Sequence, residues 1–168
     1  MENNIFKKLS MNSTVPEYSE KIQLGRPRYY RRKEDHVLEN SPYVDISNKW
    51  AGGGFISTVE DLSKFGFAII SNQLLKTETI KLLITPQKLN DGTFTKYGLG
   101  WELPSDSHSQ KLIISHSGAA EGCSSQLYIV PQDGLVIVVI ANLFHAKGML
   151  SLCNNIASLY AKRINEIK

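Results

Sequence analysis

The stretch "LVIVVIAN", Leu135 to Asn142, holds no polar side chain until its last position, and five of its residues are β-branched. Branching at Cβ stiffens a side chain and favours the pleated sheet over the helix. A strand with one wet face would alternate apolar and polar residues. This one does not, so both of its faces need cover from other layers. It also needs a neighbour. "SSQLYIVP" lies just upstream, and the "QDG" after Pro131 is a hairpin signal. A lone hairpin is marginal in water. Two more strand-length runs, "YGLGWELP" from Tyr97 and "KLIISHS" from Lys111, extend the expected antiparallel sheet.

Helices are expected to supply the cover. Ser57 or Thr58 can cap one, with Glu60 or Asp61 three residues on, as in a capping box. Val59, Leu62, Phe65 and Ile69 then recur along one face. A shorter helix begins near Thr77, brings Ile80, Leu83 and Ile84 together and is stopped by Pro86. After Gly148 a long C-terminal helix carries Met149, Leu152, Cys153, Ile156, Leu159, Tyr160, Ile164 and Ile167 as an apolar stripe. Helices before the strands and one after them give an α+β class, an antiparallel sheet packed by helices. Up to Lys49 the chain is polar, contains Pro16, Pro27 and Pro42, and reads as a short helix followed by extended segments. Gly52 to Gly54 read first as a tight turn ahead of the helix, and second as a place where another segment comes close.

A length of 168 residues, 42% of them hydrophobic, suits one domain with a real core. The net charge of +3 is mild, and basic residues cluster only in "RPRYYRRK", Arg26 to Lys33. Glu34 and Asp35 follow at once, so a solvated strand or loop face outweighs a nucleic-acid surface, and no nucleic acid is expected as a partner. Cys123 and Cys153 stand apart with no metal-type spacing, and two lone thiols suit a reducing compartment; a disulfide between them stays open. Metal motifs and phosphate loops are missing, so neither a metal nor another cofactor is expected. "MENNIFKKLS" has neither signal-peptide nor transit-peptide character. The longest apolar run, "LVIVVIANLF", falls short of the roughly 20 residues that span a bilayer.

Catalytic machinery is sparse. There is no G-x-S-x-G elbow, no S-x-x-K and no Y-x-N, and His36, His108 and His145 each stand in isolation. "ISHSGAAEG", Ile114 to Gly122, differs by context: an apolar run ends in His116, Ser117 and Gly118. A glycine at a strand end lets a ligand approach the backbone, and the imidazole and hydroxyl could contact an acyl group or carboxylate. The plain alternative is that Gly118 permits a bend and Ser117 satisfies local backbone.

"WAGGGFISTVEDLSKFG", "YGLGW" and "SHSGAAEGCSSQLYIVPQDGLVIVVIAN", in that order, resemble the second half of β-lactamase-related serine hydrolases, a group that includes class C β-lactamases, D-alanyl-D-alanine peptidases and related esterases. "RYYRRKEDHVLENSPYVDISNKWAGGGFISTVEDLSKFG" is most similar to the family's animal mitochondrial branch. "IFKKLSMNST" is similar to the family's I-F-x-P-L-G-M-x-x-T segment, with Lys8 and Ser10 replacing its Pro and Gly. The resemblance implies the C-terminal portion of a β-lactamase/transpeptidase-like fold, residues 1–168 forming part of a single domain. It implies acyl-enzyme chemistry on a small peptide, amide or ester, and a mitochondrial location. His116-Ser117-Gly118 matches the family's third motif. By that match the backbone N–H of Ala119 lies in the oxyanion hole, Ser117 and Gly118 bind substrate carboxylate or carbonyl, and His116 keeps the pocket polar or positive. The first two motifs, Ser-x-x-Lys and Tyr-x-Asn, precede the I-F-x-P-L-G-M segment in the family, so the nucleophile is expected outside these residues and the chain alone is expected to be inactive. The sheet would then lack the strands that the family takes from its N-terminal end. A non-catalytic paralogue serving as a binding or assembly module is the rival expectation; as to partners, a homo-oligomer stays open.

Overall fold

The computed structural model describes residues 1–34, 37–103 and 111–167; His36 and His108 lie outside the described residues. A single π-turn over Glu2–Phe6 opens the chain. The strands β1 (Val15–Pro16), β2 (Tyr30–Arg32), β3 (Leu38–Asn40) and β4 (Phe55–Ile56) follow as two small antiparallel ladders, β1 with β4 and β2 with β3. The basic strip therefore forms one strand of a short ribbon, with Arg31 and Arg32 exposed and Arg31 paired to Glu39 across the ladder. Before β4 the N–H groups of Gly52, Gly53 and Gly54 all reach the Lys49 carbonyl, at 2.8, 2.9 and 3.1 Å. Both readings of the glycine run apply. It is a tight turn, and a Cβ on Gly54 would meet the Ile46 carbonyl at 2.7 Å.

Helix α1 (Val59–Ile70) is capped by Thr58, whose hydroxyl accepts the Asp61 N–H at 3.2 Å. Only half of a capping box forms. The Asp61 carboxylate turns away from the cap and accepts from Ser13 N at 2.8 Å, Thr14 Oγ1 at 3.0 Å and Lys64 Nζ at 2.8 Å. Burial pushes this carboxyl up, and the hydrogen bonds from Lys64, Ser13 and Thr14 outweigh that, holding it below the usual aspartate range. The chain's first segment is thereby tied to α1. Phe6, Leu9 and Met11 pack with Ala68 on one side of the helix, while Phe65 and Ile69 face the sheet. Val59, expected on the apolar face, is 40% exposed. Helix α2 (Thr77–Leu83) follows and adds Ile80 to the same core.

The main sheet is an antiparallel meander of β5 (Ile114–Ala120), β6 (Cys123–Val130) and β7 (Leu135–Ala141). A short 3-10 turn, Pro131–Asp133, joins the last two and is closed by Gly134 at φ +59°. Alternation along the strands sorts their side chains into two layers. Ile114, Leu127, Ile129, Val136 and Val138 lie on one face with Ile69 of α1, Ile80 and Trp101. Tyr128, Val130, Leu135, Ile137 and Val139 lie on the other, against Cys153 and Ala157 of α3 (Met149–Ile167). The unbroken apolar strand is covered on both faces, as its composition requires. Gly66 lets α1 settle onto β7, since a Cβ there would meet Val136 Cγ1 at 2.6 Å.

Three expectations need correction. The described part of "YGLGWELP", residues 97–103, is not a strand: Tyr97 and Glu102 meet in an isolated bridge, and Gly98 N donates to the Trp101 carbonyl at 2.8 Å. Gly100 at φ +82° folds the chain back, and Gly98 lies so close to the Leu83 carbonyl that no side chain fits. Second, β5 does not end at His116 or Ser117. It continues through Gly118 to Ala120, because Gly118 pairs with Ser125 and leaves room for its hydroxyl instead of bending the strand. Third, the apolar stripe of α3 is wider than the sheet can cover. Cys153 is fully buried, whereas Leu152 is 47% and Leu159 is 66% exposed.

Candidate active site

Strand β5 is an edge of the meander, and its backbone sets the geometry of the candidate site. Ser115 exchanges both of its main-chain hydrogen bonds with Glu102, Glu102 N to Ser115 O at 2.8 Å and Ser115 N to Glu102 O at 2.9 Å. Ser115 therefore faces away from β6. By the two-residue period of an antiparallel ladder, Ser117 and Ala119 turn their N–H and C=O groups to the same outer edge, and His116 and Gly118 bond inward to β6. The side chains alternate in the other dimension. His116 and Gly118 lie on the α1 face with Ile114, and Ser117 lies on the α3 face with Ser115.

Each polar side chain has a partner. His116 Nε2 is 2.9 Å from the Tyr97 hydroxyl, with the rings edge to face at 6.1 Å. Ser117 Oγ donates to Glu102 Oε1 at 2.8 Å, and Ser115 Oγ approaches Glu102 Oε2 at 3.5 Å. Tyr97 and Glu102 thus belong to the site, although the sequence singled out neither. The signal was the "YGLGW" block itself, whose fold-back onto the edge of β5 places both.

A cavity of about 650 Å³ opens beside the far end of β5, walled by Gly118, Ala119, Ala120 and Glu121 on one side and by apolar residues including Phe6, Phe55 and Phe65 on another. At its polar end Arg26 forms an ion pair with the buried Glu17 and lies 5.4 Å from the Tyr29 ring centre. The structure thus divides the four candidates. Gly118 and Ala119 line the cavity, while His116 and Ser117 sit nearer the middle of the strand, outside its lining. A Cβ on Gly118 would run into Ser125 Oγ, so a side chain here requires that hydroxyl to move.

The remaining candidates lie elsewhere. His145, at φ +49°, lies against Phe144 beyond β7, the two rings tilted by 50°. Cys123 and Cys153 are free thiols, both pushed up by burial. Cys123 lies on the α1 face of the sheet and Cys153 under the α3 face, so the open question of a disulfide is answered by the sheet between them. Among the described residues no three His, Cys, Asp or Glu side chains gather as a metal site, and no helix is long and apolar enough to cross a membrane.

The sequence matches the family described as "Beta-lactamase" over residues 1–160. It is 32% identical to the Serine beta-lactamase-like protein LACTB, mitochondrial, of Homo sapiens over 195 aligned positions, which cover 94% of this chain and 36% of that protein. Those positions outnumber the residues of this chain, so the human protein carries insertions within the matched span. The fold is similar to that of a penicillin binding protein from Bacillus halodurans, with TM-score 0.73, 20% identity, and 94% of this chain and 48% of that one covered. It is also similar to a D-amino acid amidase from Ochrobactrum anthropi SV3, with TM-score 0.75, 18% identity, and 99% of this chain and 50% of that one covered. The chain spans about a third of the length of the curated animal relatives it matches.

Proposed function

The chain belongs to the β-lactamase family, and on that footing we propose that it supplies the strand wall, not the nucleophile, of a serine-hydrolase site for peptide, amide or ester bonds. Residues 1–168 are the C-terminal part of one catalytic domain, and the nucleophile and its lysine come from sequence outside them. In this reading the N–H of Ala119 stabilises the oxyanion of the tetrahedral intermediate. His116, Ser117 and Gly118 shape and polarise the strand that the substrate lies along. One such donor lowers an acyl-transfer barrier by about 3 kcal/mol. Without a nucleophile there is no acyl-enzyme to stabilise, so the isolated chain is inactive. The mitochondrial relatives support a mitochondrial site of action.

The single observation that carries this reading is the outward-facing edge of β5 at Ala119, directly beside the cavity. A fluorophosphonate probe tests it. Mass spectrometry of the treated chain is expected to find no adduct on any serine. An adduct on Ser117 would make that residue the nucleophile and sink the assignment. The rival reading, a non-catalytic binding module, draws on the fact that His116 and Ser117 already have partners in Tyr97 and Glu102. It predicts that extending the reading frame upstream of Met1 uncovers no Ser-x-x-Lys.

A further inference from the structure

The family resemblance assigns Ser117 to a substrate carboxylate or carbonyl, but the hydrogen bonding at the edge of β5 does not suit a carboxylate. A serine hydroxyl has one proton to donate, and Ser117 gives it to Glu102 Oε1 at 2.8 Å. What these two side chains then offer a ligand is lone pairs only, those of the Glu102 carboxylate and of Ser117 Oγ, next to the outward main-chain N–H of Ser117. Glu102 is fixed in place by its own main chain, which exchanges two hydrogen bonds with Ser115 and holds the side chain along the outer edge. Among the described residues no lysine or arginine forms an ion pair with it. A ligand carboxylate arriving here brings acceptors to acceptors and negative charge to negative charge. An ammonium is matched on both counts, and an amide N–H on the first.

We propose that Glu102 is a specificity-determining residue: with Ser117 Oγ it forms a pair of acceptor side chains on the outer edge of β5 that receives a cationic or N–H-bearing group of the acyl substrate in preference to a carboxylate. The inference rests on the reading of β5 as a substrate wall and names the substrate class that wall takes. Ser117 and Ala119 are two residues apart, about 7 Å along a strand. The donor group therefore belongs on a neighbouring residue or side chain of the substrate, not on the reacting acyl carbon. Glu102 touches substrate but moves no proton in the reaction.

Matched probes isolate the head-group charge: 3-phenylpropylamine and 3-phenylpropionate, titrated into the ¹⁵N-labelled chain and followed at the Ser117 and Ala119 amides. The amine is expected to bind about tenfold more tightly than the acid. Glu102→Gln keeps the side-chain size and the main-chain bonds to Ser115, and is expected to erase that preference. Glu102→Asp keeps the charge and is expected to retain it, which separates loss of charge from a disturbed edge. Equal binding of amine and acid at these amides overturns the inference while leaving the wall in place, as does a preference that survives Glu102→Gln. If neither probe moves the two amides, the wall itself fails and the inference falls with it.

Discussion

Gly118 carries an architectural duty separable from any chemistry. Its missing Cβ accommodates Ser125 Oγ across the β5–β6 ladder, an approach closer than any Cβ tolerates. Gly118→Ala is therefore expected to destabilise the fold by about 1–3 kcal/mol through overpacking. The clash is with an oxygen that Ser125→Ala removes, and the Ser125 Cβ stands at a comfortable 3.6 Å. A double-mutant cycle in urea should show Ser125→Ala recovering most of the loss, so the two changes are strongly non-additive. If Gly118→Ala costs as much with Ser125→Ala as without it, the ladder is not the reason for the glycine. The neighbouring pair of His116 and Tyr97 makes no such steric demand, and Tyr97→Phe should leave stability nearly unchanged.

At the scale of elements, the Asp61 carboxylate joins the N-terminal segment to α1 across 48 residues of sequence. Asp61→Ala removes three hydrogen bonds, from Ser13 N, Thr14 Oγ1 and Lys64 Nζ, and with them the tie to the N-terminal segment; a loss of about 3 kcal/mol is expected. The pH dependence has a definite sign. The folded carboxyl holds its proton less tightly than the unfolded one, so its contribution is complete above the ordinary aspartate value near pH 4. It is lost as pH falls through the lower folded value. Denaturant melts at pH 7 and pH 3 should differ more for the native chain than for Asp61→Asn. Much of this element structure is legible in sequence. The turn at Gly134, the stop after α2 and the two-sided cover of β7 follow from local residue chemistry and an unbroken apolar run. Other features depend on partners distant in the chain. Asp61 looks like a capping acid until Ser13 and Thr14 are seen beside it. Tyr97 and Glu102 reach His116 and Ser117 across 19 and 15 residues, through a glycine-folded loop with no periodicity to betray it. The stripe on α3 is correctly helical, but only the sheet decides that Cys153 and Ala157 lie inward while Leu152 and Leu159 do not.

At the scale of the molecule, β7 is the other edge of the sheet, and beside it α3 leaves Leu152, Ile156, Leu159 and Tyr160 exposed. An apolar edge next to an apolar helix face is a template for association. Light scattering is expected to rise with concentration and with salt, and Leu159→Lys should raise the solubility limit; unchanged scattering in that variant would clear α3 of responsibility. The two cysteines divide the same molecule in a useful way. One thiol, Cys123, is half-buried and lines the cavity, and the other, Cys153, is sealed beneath α3. Cys153 cannot react with a bulky reagent until its helix lifts, whereas Cys123 is half-buried and faces the cavity. Their separate labelling rates under native conditions would thus report two things, one the lifting of the C-terminal helix and the other how freely the cavity admits a reagent or is filled by a ligand.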